Sequence, residues 1–277
     1  MTVIYAIFLA LLQGIAEFLP VSSSGHLAAL QNLVGQTPDV NANLLFIAFL
    51  HFGTLIAVFV SFRRDLRSIS AELAILIRGR DDAADTPPTP PARLAILIAA
   101  ATAPLILAIP LYGAVRVLFT KTGFIGVMLV ATGAILYVTT KYIKSGGKTE
   151  RTFGVLDAVL VGAAQLLSLI PGLSRVGATV TVGFIRGAER DFAVKFSYLL
   201  SIPAVIGAIF ATLVGAVRNG IDFSIIPLCL LGTAVSAVVG IFAIGFLRMM
   251  MSKDKFTTFS YYNVIAGTVL IILSLIF

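Results

Sequence analysis

The residues best suited to chemistry in this sequence lie near its start, inside an otherwise apolar N-terminal stretch. Residues 13–26 hold the Glu17 carboxylate, three consecutive serine hydroxyls and the His26 imidazole. Gln13 and Glu17 are four residues apart, so a helix places them on one face. Ionisable groups in such apolar surroundings usually face a protein interior or a wet cavity and mark a functional site. This stretch is therefore the first half of a candidate site.

A later turn repeats this layout and supplies a cation. Gln165 stands in an apolar stretch, Pro171 breaks it, and a turn rich in serine and glycine follows, with Arg175 in it. A guanidinium is permanently charged and matches phosphate oxygens in two-point contact, and helix N-termini after such turns direct N–H groups toward anions. If the two turns meet, they combine an oxyanion site with a carboxylate, hydroxyls and an imidazole, which is what phosphoryl transfer needs.

The side chains of the combined site, together with the glycines that free backbone N–H groups, are Gln13, Glu17, Ser22, Ser23, Ser24, Gly25, His26, Gly172, Ser174, Arg175, Gly177 and Thr179. Plainer roles stay open for several of them. The first turn could be only a helix break with an N-cap, and Arg175 could form a structural ion pair with Glu17. His51, in the apolar span after the first turn, is interpreted as a core histidine, with a helper role near the site as the alternative.

The elements that position these residues must lie in a membrane. Of the 277 residues 58% are hydrophobic and only 12% are charged, against about 25% in soluble domains. The net charge of +7 could suggest nucleic acid, but the basic residues fall in short loops between apolar spans, so membrane orientation explains them better and we expect no nucleic-acid partner. Cys229 is the only cysteine, which excludes a disulfide within the chain.

Apolar segments of two lengths alternate with polar connections. Two segments, 3–35 and 153–187, each consist of two short apolar pieces separated by a proline. This pattern predicts re-entrant helical hairpins, since such breaks at membrane depth need protein or water around them. The longest polar connection is 63–93, and its part at 78–93 reads as a flexible cytoplasmic loop. Six segments are long enough to span the bilayer: 43–62, 94–113, 123–140, 192–214, 226–246 and 258–277. We therefore predict an all-α polytopic membrane protein with a single domain over 1–277.

The basic residues predict how this domain is oriented. With six spans and two re-entrant hairpins, sixteen lysines and arginines fall on one face and three on the other, with Arg175 at membrane depth. The positive-inside rule makes the richer face cytoplasmic and places both termini outside. The first hairpin then enters from the outer face and the second from the cytoplasmic face. This predicts an inverted repeat, with repeat one at about 1–113 and repeat two at about 153–246, whose broken helices meet near the midplane.

The two motifs resemble those of the undecaprenyl-diphosphate phosphatase family. The resemblance rests on Gln13-x3-Glu17 followed by Phe-Leu-Pro-Val-Ser-Ser-Ser-Gly-His26, and on Pro171-Gly-Leu-Ser-Arg-x-Gly-Ala-Thr179. It extends through the segment from Leu50 to Val58 and covers nearly the whole chain. It implies removal of the terminal phosphate of a polyprenyl diphosphate at the outer face of the cell membrane. The product is the lipid carrier of cell-envelope polymer synthesis, and the activity is associated with bacitracin resistance.

Site roles follow from the resemblance position by position. Glu17 and Gln13 match a pair assigned to divalent-metal binding, with Mg²⁺ or Ca²⁺, or to base catalysis. The catalytic set is Glu17, Ser22, Ser23, His26 and Arg175, and the substrate-binding set is Gln13, Ser24, Gly25, Ser174, Gly177 and Thr179. The sequence departs from the family at Gln13, which leaves one carboxylate where the family often has two, and at Val176, where a serine is usual.

Several alternatives stay open at the level of sequence. The nucleophile is Ser23 activated by His26 or Glu17, or His26 itself, or a water activated by Glu17, with the Ser23 route ranked first. The expected partners are the polyprenyl diphosphate and the bilayer, and a homodimer is compatible with the sequence. A transporter or flippase for a polyprenyl phosphate lipid is the rival function, because inverted repeats with broken helices are transporter architecture.

Overall fold

The computed structural model describes residues 2–34, 40–78, 88–218, 223–252 and 255–276. Helices make up nearly all of these ranges, as an all-α membrane protein requires. Short 3₁₀ helices lie at Ala103–Leu107 and at Phe223–Ile225. The helices are α1 (Val3–Ala16), α2 (Ser23–Leu33), α3 (Val40–Ser61), α4 (Arg63–Arg78), α5 (Pro90–Thr102), α6 (Ala108–Leu118), α7 (Thr122–Tyr142), α8 (Val155–Leu167), α9 (Arg175–Ile185), α10 (Arg190–Arg218), α11 (Ile226–Ser252) and α12 (Thr257–Ile276).

The long helices agree with the predicted spans. Within the described ranges, five stretches are long and apolar enough to cross a bilayer, and a sixth qualifies if α3 and α4 are taken as one bent span. The five are Pro90–Leu111, Thr122–Tyr142, Arg190–Arg218, Phe223–Met251 and Thr257–Ile276. Large apolar side chains lie on the outside of these helices, among them Ile109 at 77% and Phe242 at 74% exposure. Such surfaces are stable against lipid, so the fold is that of a polytopic membrane protein.

The structure corrects the prediction that 63–93 is only a polar connection. Residues 63–78 form α4, which bends by 82° from α3. Apolar side chains recur along α4 at helical spacing between its arginines, and Leu66 and Ile69 pack against the core, which explains why it is helical despite its charge. α5 begins at Pro90, earlier than the predicted 94, because proline fits the first helical turn. Most of the predicted flexible loop at 78–93 lies outside the described residues.

Within the part of the chain that the structure describes, three apolar helices are too short to cross a membrane on their own. α1 has 14 residues and is therefore about 21 Å long, less than the roughly 30 Å of hydrocarbon. α8 and α9 are shorter still. Their lengths agree with the predicted re-entrant hairpins, while the inverted repeat and the two repeat boundaries stay predictions.

Glycines let the short helices pack closely against the long ones. α1 packs on α11, where a Cβ on Gly14 would lie 2.9 Å from the carbonyl oxygen of Ser236. α8 packs on α5, and a Cβ on Gly162 would overlap the carbonyl oxygen of Ala101. Small residues permit such approach in membrane helices. α3 lies against α10 and α11, and α7 against α12, so the two turns are enclosed by long helices.

Candidate active site

The first turn links α1 to α2 through a strained serine. α1 ends at Ala16 and α2 begins at Ser23, both within the predicted hairpin at 3–35. Ser22 caps α2 with φ at 66°, a left-handed conformation that residues with a Cβ rarely adopt. Backbone strain of this kind costs about 1–3 kcal/mol and persists only where the surroundings enforce it, often at functional sites.

The Ser22 hydroxyl joins the two turns. Its oxygen accepts hydrogen bonds from the backbone N–H of Gly25, at 3.4 Å, and from the backbone N–H of Gly172 in the second turn, at 3.2 Å. A Cβ on Gly25 would lie 2.8 Å from that same Gly172 nitrogen, so the backbones are in direct contact. The structure therefore brings the two predicted turns together. It also places Ser22, predicted as catalytic, in a bridging position.

The second turn has the same cap without the strain. Ser174 caps α9 with φ at −77° and accepts a hydrogen bond from the Gly177 N–H at 3.1 Å. The left-handed position falls on Gly172, with φ at 97°, where a glycine costs little. Thr132 on α7 holds the turn, because its hydroxyl donates to the Gly172 carbonyl at 2.8 Å and accepts from the Ser174 N–H at 3.2 Å.

Glu17 is the centre of the polar network between the turns. Its Oε2 accepts a hydrogen bond from the Ser23 hydroxyl at 2.5 Å and another from Nε2 of Gln13 at 3.0 Å. Its Oε1 is paired with Nη2 of Arg175 at 2.9 Å. Glu17 is only 8% exposed, and the Arg175 side chain only 14%. A hydroxyl, its acceptor carboxylate and a guanidinium from the other turn thus converge in a nearly dry site.

The hydrogen-bond partners of His26 are the Ser22 carbonyl and Tyr262, and nothing in the sequence singles out Tyr262. Nδ1 of His26 lies 2.9 Å from the Ser22 carbonyl oxygen, which can only accept, so Nδ1 carries a proton. Nε2 lies 2.8 Å from the Tyr262 hydroxyl on α12, and the two rings stack. In the neutral imidazole Nε2 is then an acceptor for Tyr262. The base hydrogen-bonded to Ser23 is Glu17, not His26.

Several residues predicted to bind substrate have structural partners. The N–H groups of Gly25 and Gly177 donate to the capping serines, as described above. Thr179 hydrogen-bonds to the Arg175 carbonyl oxygen at 2.8 Å and to the Ser197 hydroxyl at 2.6 Å, which ties α9 to α10. Ser24 lies next to Ser23 and is partly exposed.

Two buried polar atoms at the centre lack a partner among the described residues. They are Nη1 of Arg175 and Oε1 of Gln13. Buried polar groups are almost always satisfied by protein, water or ligand, so these atoms are places where a water or a polar ligand would bind. Nη1 of Arg175 is a donor on the same guanidinium that pairs with Glu17 through Nη2, and such a donor suits an oxygen of a phosphate group.

The predicted divalent-cation pair, Glu17 and Gln13, is hydrogen-bonded within the polar network. Mg²⁺ and Ca²⁺ take oxygen ligands, but Gln13 turns its amide nitrogen toward Glu17, and both Glu17 oxygens already accept hydrogen bonds. Within the described ranges, no group of three or more histidine, cysteine, aspartate or glutamate residues comes together. The divalent-cation role of Glu17 and Gln13 therefore stays a prediction, and Oε1 of Gln13, which has no partner among the described residues, is the oxygen that this residue could offer to a cation.

Supporting residues outside the predicted site include Thr132, Tyr262 and Asn263. Asn263 on α12 donates to the Pro20 carbonyl oxygen at 2.8 Å and thereby holds the first turn. A hydroxyl or amide within an apolar span often hydrogen-bonds to another helix, so the sequence contained a pattern that could have identified Thr132 and Asn263. No such pattern identifies Tyr262, because a tyrosine near a span end is ordinary.

This fold and this site define a helical membrane protein with a buried hydroxyl–carboxylate–guanidinium centre where two turns meet. The chain belongs to the family described as bacitracin resistance protein BacA, whose profile matches residues 6–269. It is 35% identical to the undecaprenyl-diphosphatase of Halothermothrix orenii over 278 residues, which cover 100% of both chains. It is 36% identical to that of Carboxydothermus hydrogenoformans, covering 97% of this chain and 96% of the relative. It is 35% identical to that of Methanosphaera stadtmanae, covering 99% of each.

Proposed function

We propose that this chain is a membrane phosphatase that converts undecaprenyl diphosphate to undecaprenyl phosphate, with Ser23 as the nucleophile and Glu17 as its base. The activity is that named for its full-length relatives. The observation that carries the residue assignment is the 2.5 Å hydrogen bond from the Ser23 hydroxyl to Glu17, within a site whose other turn supplies Arg175. A nucleophile within hydrogen-bond reach of a base, which is itself held by a third group, is the signature of covalent catalysis.

The reaction begins with transfer of the Ser23 proton to Oε2 of Glu17. The Ser23 oxygen attacks the terminal phosphorus, the new P–O bond forms, and the bond from that phosphorus to the bridging oxygen breaks. The bridging oxygen leaves with the prenyl phosphate and takes the proton from Glu17, which becomes a carboxylate again. Glu17 then takes a proton from a water that attacks the phosphoserine, the bond between that phosphorus and the Ser23 oxygen breaks, the proton passes to the Ser23 oxygen, and inorganic phosphate is released. Atoms and charges balance over the two steps, and Ser23 and Glu17 return to their starting states.

Arg175 has a double role in this scheme. Nη2 holds Oε1 of Glu17, which turns Oε2 toward Ser23, while Nη1 is left to receive a phosphate oxygen. The first N–H groups of α2 and α9 add donors at the same place, because the first turn of a helix has unpaired N–H groups. Charge that develops on the equatorial phosphate oxygens is stabilised by donors that are already in position.

His26 lies beside the reaction centre in a supporting position. Its protonated Nδ1 holds the Ser22 carbonyl and thereby the strained cap, and its Nε2 is covered by Tyr262. Direct contact with the phosphate requires Tyr262 to move away from Nε2. The alternative in which His26 is the base for Ser23 is less well supported than Glu17, whose oxygen already accepts the Ser23 proton.

The prenyl chain would lie against the exposed apolar helix faces while the diphosphate occupies the turns. We propose that the site opens to the outer face and that both termini are outside, on the basis of sixteen basic residues against three. The inverted repeat belongs to the same proposal. The homodimer and the need for Mg²⁺ or Ca²⁺ remain predictions, which are tested by mass measurement in detergent and by phosphate release with and without EDTA. The transporter alternative is not favoured, because the full-length relatives are named as diphosphatases.

The proposal is tested by phosphate release from undecaprenyl diphosphate in detergent, where there are no two sides to cross. Ser23→Ala and Glu17→Gln should each lower kcat by about 10³-fold or more, as loss of a nucleophile or its base does in other hydrolases. Ser274→Ala is the matched control, since its hydroxyl donates to Ile271 within α12. Wild-type turnover by Ser23→Ala would refute the assignment of the nucleophile.

A further inference from the structure

His51 on α3 is joined to the reaction centre through the amide of Gln13. Nδ1 of His51 lies 3.1 Å from Nε2 of Gln13, and that same nitrogen lies 3.0 Å from Oε2 of Glu17. Oε2 is also the atom that accepts the Ser23 hydroxyl proton. A line of three short contacts therefore runs from His51 through Gln13 and Glu17 to Ser23. Sequence alone favoured a core histidine at this position.

The direction of each hydrogen bond in this line follows from the Glu17 carboxylate. Glu17 is paired with Arg175 and can only accept, so Gln13 must turn its amide nitrogen toward it. That nitrogen has two hydrogens and no acceptor capacity, so its second contact is also a donation. Nδ1 of His51 therefore has the lone pair, and the His51 proton is on Nε2.

The other end of the Gln13 amide gives no help in holding this orientation. Oε1 of Gln13 is buried and has no partner among the described residues, and Gln13 as a whole is 0% exposed. A buried carbonyl oxygen without a donor is costly. The amide keeps its orientation because its nitrogen has two acceptors. With His51 in this tautomer, a flip would bring Oε1 against a carboxylate oxygen and an imidazole lone pair, and both hydrogen bonds would be lost; regaining one of them would require the His51 proton to move from Nε2 to Nδ1.

We infer that His51 is a positioning residue that locks the Gln13 amide and, through it, keeps Glu17 directed at Ser23. With His51 present in its observed tautomer, a flip of the Gln13 amide loses two hydrogen bonds. Without the His51 acceptor the same flip loses only one, so the amide flips more easily. Glu17 would then lose the Gln13 donor for part of the time, and its Oε2 would face Ser23 less often. This inference rests on the proposed roles of Ser23 and Glu17.

The test compares two substitutions of His51 in the purified full-length protein. His51→Ala removes the acceptor and should lower kcat for undecaprenyl diphosphate about tenfold with KM unchanged, because about one net hydrogen bond is lost from a residue remote from the substrate. His51→Asn keeps an acceptor where Nδ1 stood, since its Oδ1 occupies that place, and should restore kcat to within about twofold of wild type. Phe52→Leu, the exposed neighbour on α3, is the matched control.

A double-mutant cycle establishes whether His51 acts through Gln13. If it does, Gln13→Leu combined with His51→Ala should be no slower than Gln13→Leu alone, because the first change already removes the amide. Wild-type kcat in His51→Ala, equal damage in His51→Asn and His51→Ala, or fully additive losses would each overturn the inference. Ser23→Ala separates failure of this inference from failure of the proposed function. If Ser23→Ala is inactive while His51→Ala has wild-type kcat, only the inference fails. If Ser23→Ala is active, the proposed function fails.

Discussion

In the first turn the residue after the capping serine is Ser23, and in the second turn it is Arg175. Both caps accept a hydrogen bond from the N–H three residues later, Ser22 from Gly25 and Ser174 from Gly177. The two turns thus have the same local frame and place different chemistry at its first helical position. One turn supplies a nucleophile, and the other supplies a cation that also holds the base.

The turns differ in where the backbone is left-handed. In the second turn this position is Gly172, whereas in the first it is Ser22, which has a Cβ and must be held by its surroundings. The Ser22 hydroxyl bonds across to Gly172, so the strain is linked to the contact between the turns. This comparison indicates that the first turn is shaped for the site and depends on the second for its shape.

The largest expected effect comes from removing the cation of the second turn. Arg175→Ala should lower kcat/KM by about 10³-fold, because it removes a phosphate donor and leaves the buried Glu17 without its ion pair. Arg175→Lys keeps the charge but not the two-point fork, so it should fall between wild type and alanine. Steady-state phosphate release measures both. Arg186→Lys is the control, because a lysine at this position, at the end of α9, can keep the ion pair with Asp157 on α8. Full activity of Arg175→Ala would contradict the shared site.

Ser22 offers a way to separate strain from bonding in the first turn. Ser22→Ala loses the bonds to Gly25 and Gly172 and keeps the strain, whereas Ser22→Gly loses the bonds and relieves the strain. We expect kcat to fall about tenfold in both, since the turns lose their bridge, and alanine to be less stable than glycine by about 1 kcal/mol. Thermal unfolding in detergent with matched kinetics checks this. Equal stability of the two variants would show that Ser22 is not strained.

The smallest effects should come from the residues that hold each turn from outside. Thr132→Val removes two hydrogen bonds from the second turn, and Asn263→Leu removes the bond to Pro20 in the first. Each should lower the free energy of unfolding by about 1–3 kcal/mol, because buried backbone groups lose their partners. Asn263→Leu should lower kcat more than Thr132→Val, since the first turn carries Ser23. A larger fall in kcat for Thr132→Val than for Asn263→Leu would contradict the conclusion that the first turn is the one shaped for the site.

Much of this arrangement is predictable from the sequence. Apolar length predicts the spans, proline and serine predict the turns, and buried charge predicts that Glu17 and Arg175 meet. The local sequence pattern predicts helices and their ends less well where tertiary contacts determine them. α4 is helical because its apolar residues pack on the core, and α2 starts at Ser23 because Ser22 adopts a left-handed conformation there. The contact between His26 and Tyr262 joins residues 236 positions apart, with no periodic signal to reveal it.

The central claim, transfer of the phosphate to Ser23 before its release to water, is tested most directly by the stereochemistry at phosphorus. A diphosphate made chiral at its terminal phosphorus with sulfur and oxygen isotopes is hydrolysed in isotopic water, and the product configuration is determined. Two successive displacements, the first by Ser23 and the second by water, predict overall retention. Inversion would mean a single attack by water and would contradict the account.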